Sequence, residues 1–292
     1  MFARFATAPS LTMANNAPIN HFTEDSIKNP VLIGEGECAK VYAARCGSQR
    51  YAVKAIRAPL PDPRLEAIYG LLRDVSVEAD VQKDCLHPNI LKCVDACYSK
   101  DGSHFFLFTE LAPHRDIERV VKEVGFLDRD TALRFYYQIV DGLRVIHSTS
   151  YAHRDIKPSN ILAFSNSTVK IGDFGSAKPK ARRTDLVSKS GAHDYYRPPE
   201  MADMKTHYAN GVTWDLYGAA MVYVYMLLGT YPWCEAHFGD AEYAAFNRGK
   251  FEQLVQMDSR WERVKEDFWF IRRLLHHDPK KRIRPNRYYA FN

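Results

Sequence analysis

The sequence predicts an α+β fold in two unequal parts, and three observations carry that reading. Residues 30–57 alternate apolar runs with glycine and charge, "VLIGEGECAKVYAA" then "RYAVKAI", the pattern of three short antiparallel strands. Two further strand-like runs follow at "ILKCVDACY" and "HFFLFTEL". After them the period changes: "LDRDTALRFYYQIVDGLRVIH" carries apolar residues at 133, 136, 139, 140, 143 and 146, the spacing of one face of a helix. A strand-rich first third therefore precedes a helix-rich remainder.

The elements follow in order. Residues 1–22 are small, polar and poor in charge, with Arg4 and no acid before Glu24, and are expected to be a disordered extension; a mitochondrial presequence is the lesser reading. The three strands come next, then a proline-rich link, "APLPDP", and a helical stretch, "LEAIYGLLRDVSVEADVQ", that carries Glu78. Past the 127–147 helix most of the chain reads as helical, broken by one loop from 173 to about 200. The longest apolar run, "LYGAAMVYVYMLLG" (216–229), is too short to span a bilayer and reads as a buried helix.

The totals narrow the function classes. At roughly 150 residues per domain, the length fits two packed units or one large fold. Apolar residues are 46% and charged ones 26%, so the chain can bury a core without disulfide or metal staples. The net charge of +5 is a mild excess with acids spread throughout, and neither a nucleic-acid nor a membrane surface is expected. The six cysteines include no C-x-x-C pair, which argues against zinc and for reduced thiols in an intracellular protein, cytoplasmic or nuclear.

Several short motifs carry chemistry. "GEGECAKV" (34–41) lies between strands, and its glycines would let backbone amides approach phosphate oxygens; alone it reads more readily as a structural hairpin. Lys54 is the one cation in the apolar strand "YAVKAI", and Glu78, otherwise a solvated helix charge, could hold that ammonium. In "HRDIKPSN" (153–160), Asp155 could accept a hydroxyl proton, Lys157 could steady the developing charge, and Asn160 offers a neutral oxygen to a hard metal such as Mg²⁺. "DFG" (173–175) adds a carboxylate beside a glycine that permits a sharp turn.

Taken in order, GxGxx(A)xV, AVK, the helical Glu, HRDxKxxN, DFG and PPE resemble the signature set of the eukaryotic protein kinases over about residues 28–290. The resemblance implies a bilobal fold: a small antiparallel lobe with one helix at about 23–111, a hinge at about 110–114, and a mainly helical large lobe at about 115–292. It implies ATP and Mg²⁺ as cofactors. By motif match, Lys54 would contact the α/β-phosphates and pair with Glu78, Asp155 would be the catalytic base or orient the substrate hydroxyl, and Lys157 would contact the γ-phosphate. Asn160 and Asp173 bind the metal. Gly34 and Gly36 belong to the phosphate loop. The adenine lies between Ile33, Val41 and Ala52 above and Leu162 below, with Thr109 as gatekeeper and the backbone of Glu110 and Ala112 facing the base. Glu200 and Arg282 match the ion pair that ties the activation segment to the large lobe, Asp215 the anchor of the HRD loop, and His153 and Phe174 two members of a structural spine. Lys157 fits the Ser/Thr type, so protein substrates with Ser/Thr acceptors are implied; Arg154 would meet a phosphorylated Thr184, Ser188 or Ser190, the work of an activating kinase or regulatory partner, with an unmodified loop as the equal alternative.

The chain departs from the family pattern at Ala39 (third glycine), Cys38 (loop-tip aromatic), His193 (the usual Thr), and the spine positions Gln82 and Cys93. These departures support a competing reading as a nucleotide-binding scaffold without turnover. The stretch "GTYPWCEAHFGDAEYAAFNRGKFEQ" resembles the lower lobe of checkpoint kinase one, although Ser159 replaces that kinase's usual glutamate.

Overall fold

The computed structural model describes residues 22–36, 39–57, 79, 81–149, 151–179, 195–202 and 210–283. Glu78, Cys38, Thr184, Ser188, Ser190 and His193 lie outside them.

The first part is a five-stranded antiparallel sheet: β1 (Lys28–Glu35), β2 (Ala39–Cys46), β3 (Gln49–Arg57), β4 (Cys93–Tyr98) and β5 (His104–Glu110), in the order β1-β2-β3-β5-β4. The fold class is the expected one. Register decides which side chains face together. Val41 pairs with Lys54 and with Gly34, Lys54 with Leu107, and Ala52 with Thr109. Paired residues share a face and alternate residues along a strand return to it. One sheet face therefore carries Gly34, Val41, Ala52, Lys54, Leu107 and Thr109 together. The opposite face buries Ala44, Cys46, Val53 and Phe108 beneath Phe22, Ile27 and Tyr51. The Phe22 ring lies 5.2 Å from that of Phe108 and its amide donates to Asp95, so this residue of the expected extension is seated on the sheet.

The second part is helical: α1 (Ile117–Val124), α2 (Arg129–Ser148), α3 (Pro199–Ala202), α4 (Gly211–Leu228), α5 (Ala241–Asn247), α6 (Phe251–Met257) and α7 (Phe268–Leu274). Asp116, Asp128, Asn210 and Asp240 cap α1, α2, α4 and α5, each accepting from a backbone N–H of the first turn. The apolar face of α2 packs on α4, whose side chains are buried almost all round. By length and apolarity α4 could cross a membrane, but here it is the enclosed axis of one large core. At Gly218 an added Cβ would stand 2.6 Å from the Ile156 carbonyl oxygen, so only glycine lets α4 lie this close to the segment after Asp155.

Between α2 and α3 the sequence reading expects mostly helix up to a loop from 173 to about 200; the structure has short strands there instead, three of them before residue 173. Short strands β6 (Tyr151–Ala152), β7 (Ile161–Ser165), β8 (Thr168–Ile171) and β9 (Lys178–Pro179) pair β6 with β9 and β7 with β8. Runs of two to five residues are too brief to display a period.

Candidate active site

Asp155 sits at the meeting of three contacts. Lys157 Nζ lies 2.8 Å from its Oδ2, and the Asn160 amide nitrogen donates to both its Oδ2 (2.9 Å) and its backbone carbonyl (2.8 Å). The motif "DIKPSN" closes on itself because Pro158 opens a 3₁₀ turn, Pro158–Asn160, that brings Asn160 back over Asp155. With its nitrogen spent on Asp155, Asn160 keeps its carbonyl oxygen for another partner.

The loop beneath is held by Asp215 of α4, which is fully buried. Its carboxylate accepts from the amides of His153 (2.8 Å) and Arg154 (2.6 Å) and from His147 Nε2 (2.7 Å). Arg154 has φ = 65°, a left-handed backbone that a non-glycine residue adopts only when its surroundings dictate it. The buried carboxylate is that dictation. His153 donates from Nε2 to the Gly172 carbonyl (3.0 Å) and accepts at Nδ1 from the Asp155 amide (3.3 Å), which sets its tautomer and ties this loop to Asp173. The His147 contact was not foreseen; its one signal was a polar residue late in an otherwise apolar helix face.

Across the cleft, Lys54 Nζ reaches Asp173 Oδ1 at 2.7 Å. Asp173 also has a left-handed backbone (φ 57°), and it accepts from the Gly175 amide. Phe174 turns inward, fully buried, with its ring 4.8 Å from that of His153. The electrostatics follow from these contacts. Burial opposes a charge on Asp173, but the Lys54 ammonium outweighs it and holds the carboxyl below its ordinary value. Burial likewise opposes the charge on Lys157, and Asp155 with Tyr196 overrides it, raising the ammonium. Both groups therefore keep their charges near neutral pH.

The expected adenine residues fall where the register puts them. Val41, Ala52 and Thr109 share the cleft face, Ile33 stands exposed on β1, and Leu162 on β7 packs against Gly172 beside Asp173. Glu110 has further partners. Its amide donates to the Lys92 carbonyl (3.1 Å), and its carboxylate takes Lys170 (2.7 Å) and the Lys92 amide (2.7 Å). What Glu110 can offer a base is its carbonyl, close to Thr109 Oγ1 at 3.3 Å. Ala112 is half-buried just beyond β5. Lys54 was expected against Glu78; the contact described is with Asp173.

The activation-segment clamp forms as expected. Arg282 Nη1 and Nη2 donate to Glu200 Oε1 (2.7 Å) and Oε2 (2.5 Å), a bidentate, nearly dry pair. Arg282 also donates to the carbonyls of His276 and Thr213 and lies over the Tyr217 ring. Gln82 is buried as a spine residue would be. Its nitrogen donates to the Leu91 carbonyl (3.1 Å), while its oxygen has no partner among the described residues.

Two hard oxygen donors, the Asn160 carbonyl and the Asp173 carboxylate, fit a Mg²⁺ ion that brings phosphate and water ligands of its own. A lysine anchored beside them fits the phosphates. The protein kinase domain matches residues 27–290. The chain belongs to the protein kinase family. Among similar proteins, Aurora kinase A-A of Xenopus laevis is 29% identical over 86% of this chain and 58% of its own length. CBL-interacting protein kinase 11 of Oryza sativa is 27% identical over 86% and 48%. Serine/threonine-protein kinase CHK1 of Mycosarcoma maydis is 27% identical over 86% and 45%. The chain thus spans about half the length of these curated relatives.

Proposed function

We propose that this kinase transfers the γ-phosphoryl group of ATP to Ser/Thr hydroxyls of proteins, with Mg²⁺. The observation that carries the reading is the convergence of Asp155, Lys157 and Asn160 within 2.8–2.9 Å, facing a Lys54–Asp173 pair at 2.7 Å. The Lys157 position and the "serine/threonine-protein kinase" names of several relatives support the acceptor class. Similarity spread over Aurora, CBL-interacting and CHK1 kinases supports that class without favouring a checkpoint role. An intracellular setting fits the free thiols among the described residues.

The residues divide the chemistry. When bound, ATP supplies the phosphoryl group and Mg²⁺ the charge that neutralises it. Asn160 and Asp173 would hold the metal, and Lys54 would steady the phosphates while Asp173 keeps it in place. Asp155 takes up or orients the proton of the acceptor hydroxyl. Lys157, held 2.8 Å from Asp155, places a positive charge where negative charge builds on the transferred group. Asp215 fixes the loop that carries both.

The test is phosphate transfer from Mg-ATP to arrayed Ser/Thr peptides. The Asp155→Asn variant should lose about 10²- to 10⁴-fold in rate while its melting temperature still rises with Mg-ATP. A second reading, the nucleotide-binding scaffold, draws on the buried unpaired oxygen of Gln82. No transfer by wild type, alone or with candidate activating kinases, together with a retained Mg-ATP shift, would establish it instead.

A further inference from the structure

Apart from the residues assigned to phosphoryl transfer, α7 turns a tryptophan to solvent. Trp269 is 63% exposed, whereas Trp233 and Trp261 are buried in the core. The exposed ring is nonetheless held. The Arg272 guanidinium, one helical turn on, lies 4.9 Å from its centroid. Arg272 is itself fixed at the end of α5, donating from Nε to the Phe246 carbonyl (2.9 Å) and from Nη2 to the Asn247 carbonyl (2.6 Å). Gly249 completes the seat. It has φ = 70°, and a Cβ there would stand 3.0 Å from Arg272 Nη1 and 3.3 Å from the edge of the indole. Glycine thus makes the turn and leaves room for the stacked pair. Bases surround the ring. Arg248 and Lys250 flank Gly249, and Arg273 follows Trp269 on the same side of α7; all are exposed. Neither they nor Arg272 have a carboxylate partner among the described residues. Burial holds the Arg272 guanidinium below its ordinary value with no acid to offset it. The acids closest in sequence are not spent here: Glu266 lies 3.6 Å from Arg129, and Glu252, exposed in the first turn of α6, pairs with none of these bases.

We propose that this surface docks an acidic segment of a protein partner, a run of Asp and Glu carrying one aromatic or long aliphatic side chain. The apolar side chain lies on the indole, and the carboxylates pair with Arg248, Lys250 and Arg273. Trp and Arg are the side chains in which interfaces concentrate their binding energy, and an anchor already fixed loses little freedom when it is covered. A rim of unpaired cations steers an acidic chain towards the ring and turns a basic one away. The chain itself offers no counter-charge at this point. It returns to α7 at Ile283, whose amide donates to the Arg273 carbonyl, and the residues that follow, "RPNRYYAFN", hold arginines and no acid. Nucleic acid fits less well, because it is held by many phosphate contacts along a groove and by successive stacked bases, and here a single ring has a short rim. A membrane would need a wider apolar face than one indole.

The test is fluorescence-anisotropy binding of labelled peptides to the full chain, a readout that does not depend on phosphate transfer. One peptide alternates Asp and Glu around a central Trp, a second has Ser at the centre, and a third has Lys in place of every acid. The first should bind about 10-fold more tightly than the second, the third should not bind, and the affinity of the first should fall as salt rises. Trp269→Ala should abolish the advantage of the central Trp. Lys250→Glu and Arg273→Glu leave the indole and Arg272 in place, and each should weaken the acidic peptide about 3- to 10-fold. Melting temperatures close to that of wild type in all of these variants would show that lost binding is not lost fold; if Trp269→Ala melts early, the two charge reversals decide. No binding of the first peptide at millimolar concentration, or binding that none of the substitutions changes, would overturn the proposal. So would tighter, Trp269-dependent binding of single-stranded DNA or of phosphatidylserine vesicles, which would give the surface to a nucleic acid or a membrane instead.

Discussion

In the large lobe the two buried charges that brace the site are matched, although the buried Tyr217 and Tyr223 hydroxyls and the Trp233 indole N–H have no partner among the described residues. Asp215 accepts from two amides and an imidazole, and Arg282 spends its guanidinium on Glu200 and two or more carbonyls. In the small lobe, Gln82 is equally buried yet leaves its oxygen unmatched. The described core residues differ in the same sense: one continuous cluster around α4 below, two small clusters on opposite sheet faces above. Among the described residues, the large lobe is thus built around one core and the small lobe around two smaller ones.

Substitutions can break or sharpen the contrast. The largest effect belongs to Asp215→Ala, which strands two backbone amides and an imidazole and should cost about 5 kcal/mol, with phosphate transfer falling in the fraction that stays folded; urea unfolding and a peptide assay would measure both. Glu200→Gln leaves Arg282 charged and nearly dry, for about 3 kcal/mol, read by the same unfolding curves. A smaller effect is expected in the small lobe. Gln82→Leu removes an unmatched acceptor but strips the buried Leu91 carbonyl of its donor, so the two changes offset and stability should shift by less than about 1 kcal/mol, under about 2–4 °C in melting temperature. A loss as large as that of Glu200→Gln would mean that Gln82 belongs to a satisfied network and would erase the contrast.

The smallest effect is a pH dependence. Burial, helped by Asp95, pushes the Cys97 thiol up to about 11 from 9.0. The unfolded chain loses that proton first, so stability is steady below pH 9 and declines as pH rises from 9 toward 11. Cys97→Val should flatten that decline in pH-dependent thermal melts.

Much of this was legible in the sequence because the features were local or periodic. Lys54, Asp155, Lys157, Asn160 and Asp173 stand in short motifs whose spacing does the positioning, and α2 and α4 announce themselves by apolar period. The sheet face shared by Val41, Ala52 and Thr109 follows from strand alternation once the register is known. What was not legible depends on distant segments meeting. The Lys54–Asp173 contact joins residues 119 apart, and His147 reaches Asp215 over 68. Glu110 was expected to lend its backbone to a base, and nothing nearby in the sequence announces that Lys170 and Lys92 would occupy its carboxylate and amide.

The Glu200–Arg282 clamp has a consequence for biosynthesis. It fastens residues 82 apart, and its arginine comes late in the chain. A nascent chain can emerge with its catalytic loop and α4 complete while Glu200 still lacks its partner. At about 5–20 residues per second, Glu200 stays unfastened for several seconds after it has been made. The order of synthesis therefore closes this clamp only once nearly all of the matched domain exists.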